Sequence, residues 1–272
     1  AVPANTLVFS GPDTTDVWRT DQLGAGKTLN VWNLTFNKAS PTTLITLTTP
    51  IAVAGTMLHS VGTLQSGTLY VNGATWTTAS GALFGPTVAI VVQGTTNQVF
   101  SSTSQLPNLF INKSAGTVTI PSGSTLVTGH FTIWDGTVQV NGGTLEVHGN
   151  FSVGQGPPTA NYASLNATAQ PTFVCTAATG AGVVDVRHTA ATDGNFQFFE
   201  NAVGSVDAGA IQANGDYYVN DATFALTGTH TLELRNTRGA KVTLWGDKPT
   251  PATAVVTVAN LTLNKSGATP GS

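Results

Sequence analysis

Residues 116–153 read GTVTIPSGSTLVTGHFTIWDGTVQVNGGTLEVHGNFSV. Two similar segments follow each other in this stretch. Val118 and Val138 are 20 apart, as are Ile120 and Val140, Phe131 and Phe151, and Ile133 and Val153; Leu126 and Leu145 are 19 apart. Around each of these positions apolar and polar residues alternate, which puts the apolar side chains on one face of a strand. Glycine-bearing breaks at Ser122-Gly123, Asp135-Gly136, Asn141-Gly142-Gly143 and Gly149-Asn150 separate the strands. About 20 residues per period, divided into three short strands, is the pattern of an all-β parallel β-helix (β-solenoid), each turn stacking its inward residues on those of the turn below. The alternative is one or two antiparallel β-sandwiches. Asn72-Gly73 and Asn141-Gly142 are hairpin signals that favour it. A sandwich gives no reason for residues 20 apart to match in type at several phases.

Working outward, the same spacing recurs at Val186, Val206 and Leu226, at Phe198 and Tyr218, at Phe224 and Leu244, and at Leu44 and Leu64. An octet also appears three times, as Asn33–Ser40, Asn108–Ala115 and Asn260–Gly267, with starts 75 and 152 residues apart. These distances suggest one and two copies of a larger unit. Residues 154–171 carry Gly, three prolines and little periodicity. They read as a loop or linker between a solenoid over 1–153 and its continuation over 172–272.

Composition narrows the function. Of 272 residues, 40% are hydrophobic and 8% charged, against roughly 25% charged in an ordinary domain. Thr and Val suit strands; Gly and Asn suit turns. With a net charge of −3 and no basic patch, nucleic acid is excluded as the expected partner. No apolar run reaches the roughly 18–20 residues of a membrane span. The single cysteine, Cys175, excludes an intrachain disulfide and a multi-cysteine metal site. The uncharged polar surface, with a start at Ala1 that fits a removed signal peptide as well as a trimmed chain, points to a secreted or cell-surface protein.

The octet, followed by Gly-Thr-Val-Thr-Ile and later Gly-Thr-Leu-Glu-Val-His-Gly, resembles repeat segments of large secreted bacterial surface and adhesin-like β-helix proteins. The resemblance is clearest over 106–154, fair over 28–75 and limited to the octet over 255–267. It implies a right-handed β-helix outside the cell, a stalk or adhesin-like segment, and it carries over no catalytic residue.

Candidate chemistry is sparse. His59, His130, His148, His188 and His230 show no zinc-site spacing and are expected to be solvated. Asp193, Asp207, Asp216 and Asp221 sit near turn-like sequences where stacked oxygens suit a hard cation, so calcium is the only cofactor the chain suggests. The competing explanation is that Asp and Asn simply build turns. Asp185, Arg187, Asp207 and Arg235 are the nearest approach to the face of a polysaccharide-degrading β-helix enzyme, but their spacing is off the period, so the expectation is no enzyme and no catalytic residue. The octet lysines Lys38, Lys113 and Lys265 read as guards on strand edges. Asn166, in the irregular segment, is the candidate glycosylation site. An ice-binding threonine array is broken where Gln139 follows Thr119. The five tryptophans are too scattered in sequence to show an aromatic platform for glycans.

The ends suggest assembly. Leu7-Val8-Phe9 and the stretch with Val256, Val258, Leu261 and Leu263 are apolar, β-prone strands with no visible cap. Head-to-tail pairing of such ends builds an open filament. The leading expectation is a non-catalytic extracellular subunit that pairs with copies of itself. The alternatives are a stalk or glycan-binding segment of a larger adhesin and a β-helical polysaccharide-degrading enzyme.

Overall fold

The computed structural model describes residues 5–12, 15–18, 26–73 and 75–154. Beyond these it describes the strand segments 172–175, 183–186, 196–198, 203–206, 210–213, 217–219, 224–226, 231–235, 242–244 and 260–264. All regular elements among the described residues are strands. The first turn is β1 (Thr6–Gly11), β2 (Thr15–Trp18) and β3 (Leu29–Val31); the second is β4 (Asn33–Lys38), β5 (Leu44–Leu47) and β6 (Ile51–Val53). The next two, β7 (Thr56–Val71) and β8 (Thr75–Val92), each run through a whole turn. Then come β9 (Gln98–Ser102), β10 (Asn108–Ile120), β11 (Thr125–Thr128), β12 (Phe131–Val140), β13 (Thr144–Val147) and β14 (Phe151–Val153). The coil goes on through β15 (Thr172–Cys175), β16 (Val183–Val186), β17 (Phe196–Phe198), β18 (Val203–Val206), β19 (Ala210–Ala213) and β20 (Tyr217–Val219). The last described strands are β21 (Phe224–Leu226), β22 (Thr231–Arg235), β23 (Val242–Leu244) and β24 (Asn260–Asn264).

Every strand pairing among these is parallel, so the chain is a β-solenoid, with about 21 residues per turn. Neither Asn-Gly pair makes a hairpin. Gly142, at φ 70, turns a corner of the coil, and Gly73 lies so close to the turn below that a Cβ would meet Gly55 O at 1.7 Å. Three columns of stacked strands form the walls. The first holds β1, β4, the start of β7 and of β8, β9, the ends of β10 and β12, then β15, β18 and β21. The third holds β3, β6, the ends of β7 and β8, the starts of β10 and β12, then β14, β17, β20 and β23. Between them the second runs from β2 and β5 through the middles of β7 and β8, and resumes as β11, β13, β16, β19, β22 and β24.

The deciding stretch stacks as its spacing predicts. Val118 pairs with Val138, Ile120 with Val140, Phe131 with Phe151, Ile133 with Val153 and Leu126 with Leu145. All are fully buried. Outside it, equal spacing is a poorer guide. Val206 stacks on Leu226, but Val186 pairs with Val147 and Ala213 on another face. Phe198 meets Val219, Phe224 and Leu244 lie on different faces, and Leu64 meets Ile45. The cause is corner length: Thr6 pairs with Asn33, 27 residues on, whereas Thr56 pairs with Thr75, 19 on.

The larger octet unit is not a structural unit. Its first copy opens β4 on the first face, its second opens β10 on the third face, and its third is β24 on the second face. What the first two share is local: an asparagine just past a corner, followed by inward apolar positions. Asn33 Oδ1 accepts the Thr56 N–H at 2.9 Å, and Asn108 Oδ1 accepts the His130 N–H at 3.0 Å. Asn5 does the same for Trp32 N–H at 2.8 Å. The side chain thus satisfies a backbone donor of the next turn where the ladder is interrupted. Asn108→Ala should lower stability by about 1–2 kcal/mol, the cost of leaving that donor unpaired. An unchanged urea midpoint would show that the bond contributes nothing.

Lys38 and Lys113 are not edge guards. Both follow the inward alternation and are buried. Lys113 Nζ donates to Thr96 O at 2.8 Å, to Gln98 Oε1 at 2.9 Å, and more weakly to Gln93 O and Gly94 O. Burial pushes its pKa down. Lys38 Nζ donates to Ser10 O at 2.9 Å. The long stem fills the corner while the ammonium satisfies carbonyls that the bending backbone turns inward. Lys265 lies outside the described residues.

Candidate functional site

The second column breaks once. Between β8 and β11 residues 103–107 form no strand, and only Leu106 bridges to Thr128. The local sequence Thr103-Ser104-Gln105-Leu106-Pro107 explains this. Thr103 Oγ1 donates to Thr78 O at 3.0 Å, Ser104 Oγ donates to Ala79 O, and Ser104 N–H donates to Ser102 Oγ. Hydroxyls thus take the place of ladder amides, and Pro107 has no N–H to offer. On the far side Thr128 Oγ1 donates to Pro107 O at 2.6 Å, which ties the irregular segment to β11.

The break leaves a groove of about 810 Å³, within the usual range for ligand pockets. One wall is the β8 stretch with Leu83, Phe84 and Pro86; the floor is the irregular segment; the other wall has Asn108, His130 and His148. His130 Nδ1 accepts the Asn150 N–H at 3.0 Å, so its neutral form carries the proton on Nε2. Burial pushes the His130 pKa down, which keeps that form at neutral pH. His148 Nε2 donates to Glu146 Oε1.

Beside the groove, on the outer side of β10, Phe110 stacks on Trp134 with ring centroids 4.6 Å apart and planes 20° from parallel. Tyr70, Val91 and Phe110 follow one another in the same outward row of the third face. Phe110 and Trp134, from successive turns, thus form an outward aromatic pair that the tryptophan positions alone did not show.

The histidine expectation needs correcting as well. His59 is fully buried between Phe36 and Phe84, while His130 and His148 are only partly exposed. His188 and His230 lie outside the described residues, as do Asp193, Asp207, Asp216, Asp221, Asn166 and Arg187. No group of three or more metal-binding side chains occurs among the described residues. Asp185 is in β16, on the second face. It lies between Glu146 and Gln212, and Glu233 follows, bonded to Gln212 Nε2 at 2.9 Å. Sequence spacing hid this row because its steps are 39, 27 and 21 residues. The groove was hidden too, since its walls come from residues 63 to 148. The missing glycine turn and Pro107 were the available signal.

At the ends of the coil, Phe9 is buried against Phe36, while Val8 and Val17 are 52% and 51% exposed. In β24, Leu261 and Leu263 are 55% and 64% exposed. Val256 and Val258 lie outside the described residues. No helix among the described residues is long and apolar enough to cross a membrane. No family model, curated protein or solved structure matches this chain.

Proposed function

We propose that this chain is a non-catalytic structural element of a secreted or cell-surface assembly, a rod that joins copies of itself end to end. One observation carries the reading. The outermost described strands, β1, β2 and β24, each pair on one side only among the described residues, and each rung exposes apolar side chains. Unpaired edges with apolar side chains recruit further strands. A junction that continues the columns refines the expected contact. β24 belongs to the second column and so would meet β2.

The test is a double variant, Leu261→Lys with Leu263→Lys. Both side chains are exposed, so the fold has little to lose. Sedimentation of the wild-type chain should show concentration-dependent polymers, and the variant should shift them to monomers. Removal of residues 1–10 should act the same way. A wild-type chain that stays monomeric at high concentration, or a variant that assembles unchanged, overturns the reading in favour of a stalk segment of a larger protein. The non-catalytic part fails if polysaccharides are cleaved and Asp185→Ala abolishes the cleavage.

A further inference from the structure

We propose that the groove beside His130 binds an uncharged oligosaccharide whose chain continues onto the Phe110–Trp134 ring pair. The lining sets the chemistry. Among the described residues, no Asp, Glu, Lys or Arg lines the groove. An anionic ligand would find no Lys or Arg there, and a cationic one no carboxylate in the lining. Leu83, Phe84 and Pro86 offer C–H and ring surface, while Gln105, Asn108 and His130 offer hydrogen-bond donors and acceptors. A ligand that matches both must be neutral, with apolar faces and a polar rim. A pyranose ring has that form: C–H groups on its faces and hydroxyls around its edge.

The ring pair is a second, independent feature with the same requirement. Phe110 lies two residues beyond Asn108 on the same outward side of β10, about 6.6 Å along the strand. The two rings are nearly parallel, and both are partly exposed. The electron-rich faces turned away from the stack attract the slightly positive C–H faces of a sugar. The groove and the ring pair thus form a continuous track across adjacent turns, suited to a linear chain. An exposed apolar patch rimmed by uncharged polar groups is the common form of a ligand-binding surface.

The experiment titrates the full chain with cellohexaose, mannohexaose, chitohexaose and hexagalacturonate, following heat release and tryptophan fluorescence. At least one neutral hexasaccharide should bind and change the fluorescence, and hexagalacturonate should not. Leu83→Asp alters only an exposed groove lip and should weaken binding about tenfold or more with the melting temperature unchanged. Gln105→Ala, also exposed, should weaken it less. The proposal is overturned if no neutral hexasaccharide binds, if hexagalacturonate binds as tightly, or if Leu83→Asp binds like the wild type. It is also overturned if Leu83→Asp abolishes self-association, which would make the groove a contact between copies. Leu83 is remote in the coil from β1, β2 and β24, so loss of sugar binding with normal polymers separates this inference from the assembly reading.

Discussion

Phe131→Ala should cost about 3–5 kcal/mol of stability, read as a lower urea midpoint with an unchanged slope. Phe131 is fully buried, paired in register with Leu109 below and Phe151 above. Its ring lies parallel to that of Phe151 at a centroid distance of 5.7 Å, and Phe173 closes on Phe151 from the first face at 5.2 Å. The backbone on both sides is held by parallel ladders, so the space left by the ring has little freedom to collapse. In a stack where each turn touches only its neighbours, the loss falls on two interfaces at once. Thr132→Ala, on the outward side of the same strand, should change stability by no more than about 0.5 kcal/mol. If the two variants melt alike, Phe131 is not packed as described.

Acid should destabilise the coil through His59. The imidazole sits in the inward row after Phe9 and Phe36, with ring centroids 5.1 Å from Phe36 and 4.9 Å from Phe84. Nε2 donates to Gly62 O at 2.9 Å, and Nδ1 has no partner. Burial pushes its pKa down to about 4 from 6.5, and the Gly62 carbonyl offsets part of that. Between these values the unfolded chain binds a proton that the folded chain does not, so stability falls as pH drops through the window. At about 1.4 kcal/mol per pKa unit, the loss reaches about 3 kcal/mol by pH 4 and is complete only below it. His59→Phe extends the aromatic row and removes the orphan nitrogen. Its stability should fall clearly less from pH 6.5 to pH 4, with a residual loss from His130, whose pKa burial also lowers; an equal acid loss in both proteins would place the effect elsewhere.

The fold class was legible because one stretch has two successive turns of equal length. There, matching residues 20 apart really are stacked, and Val118, Phe131 and Ile133 could be placed from sequence alone. Where corners differ in length, the same spacing joins residues of different faces, as with Val186 and Val206. The octet misled for a related reason: an asparagine that pairs with the next turn is useful after any corner, so its recurrence marks a local device and not a phase. The lysines misled because a charged side chain at the end of an apolar alternation reads as exposed. The inward carbonyls that hold Lys113 arise only from the bent backbone. The groove draws on several turns and the ring pair on two, and no linear pattern joins Leu83 to His130 or Phe110 to Trp134.

One pairing pattern bears on how the coil accepts additional sequence. β13 pairs with β16 at a step of 39 residues and β14 with β17 at a step of 45, yet β12 pairs with β15 in the same column as β10. The described strands on either side of the extra residues stay in register, so the stacked rows lose nothing. Closing a longer excursion costs only about 0.6 kcal/mol for each doubling of its length. The corner after β14 is therefore a display position: a foreign peptide, even a small domain whose ends lie close together, can be grafted there while the rows on either side keep their register. In the proposed end-to-end assembly, each grafted subunit would then carry its cargo at one fixed point of the coil.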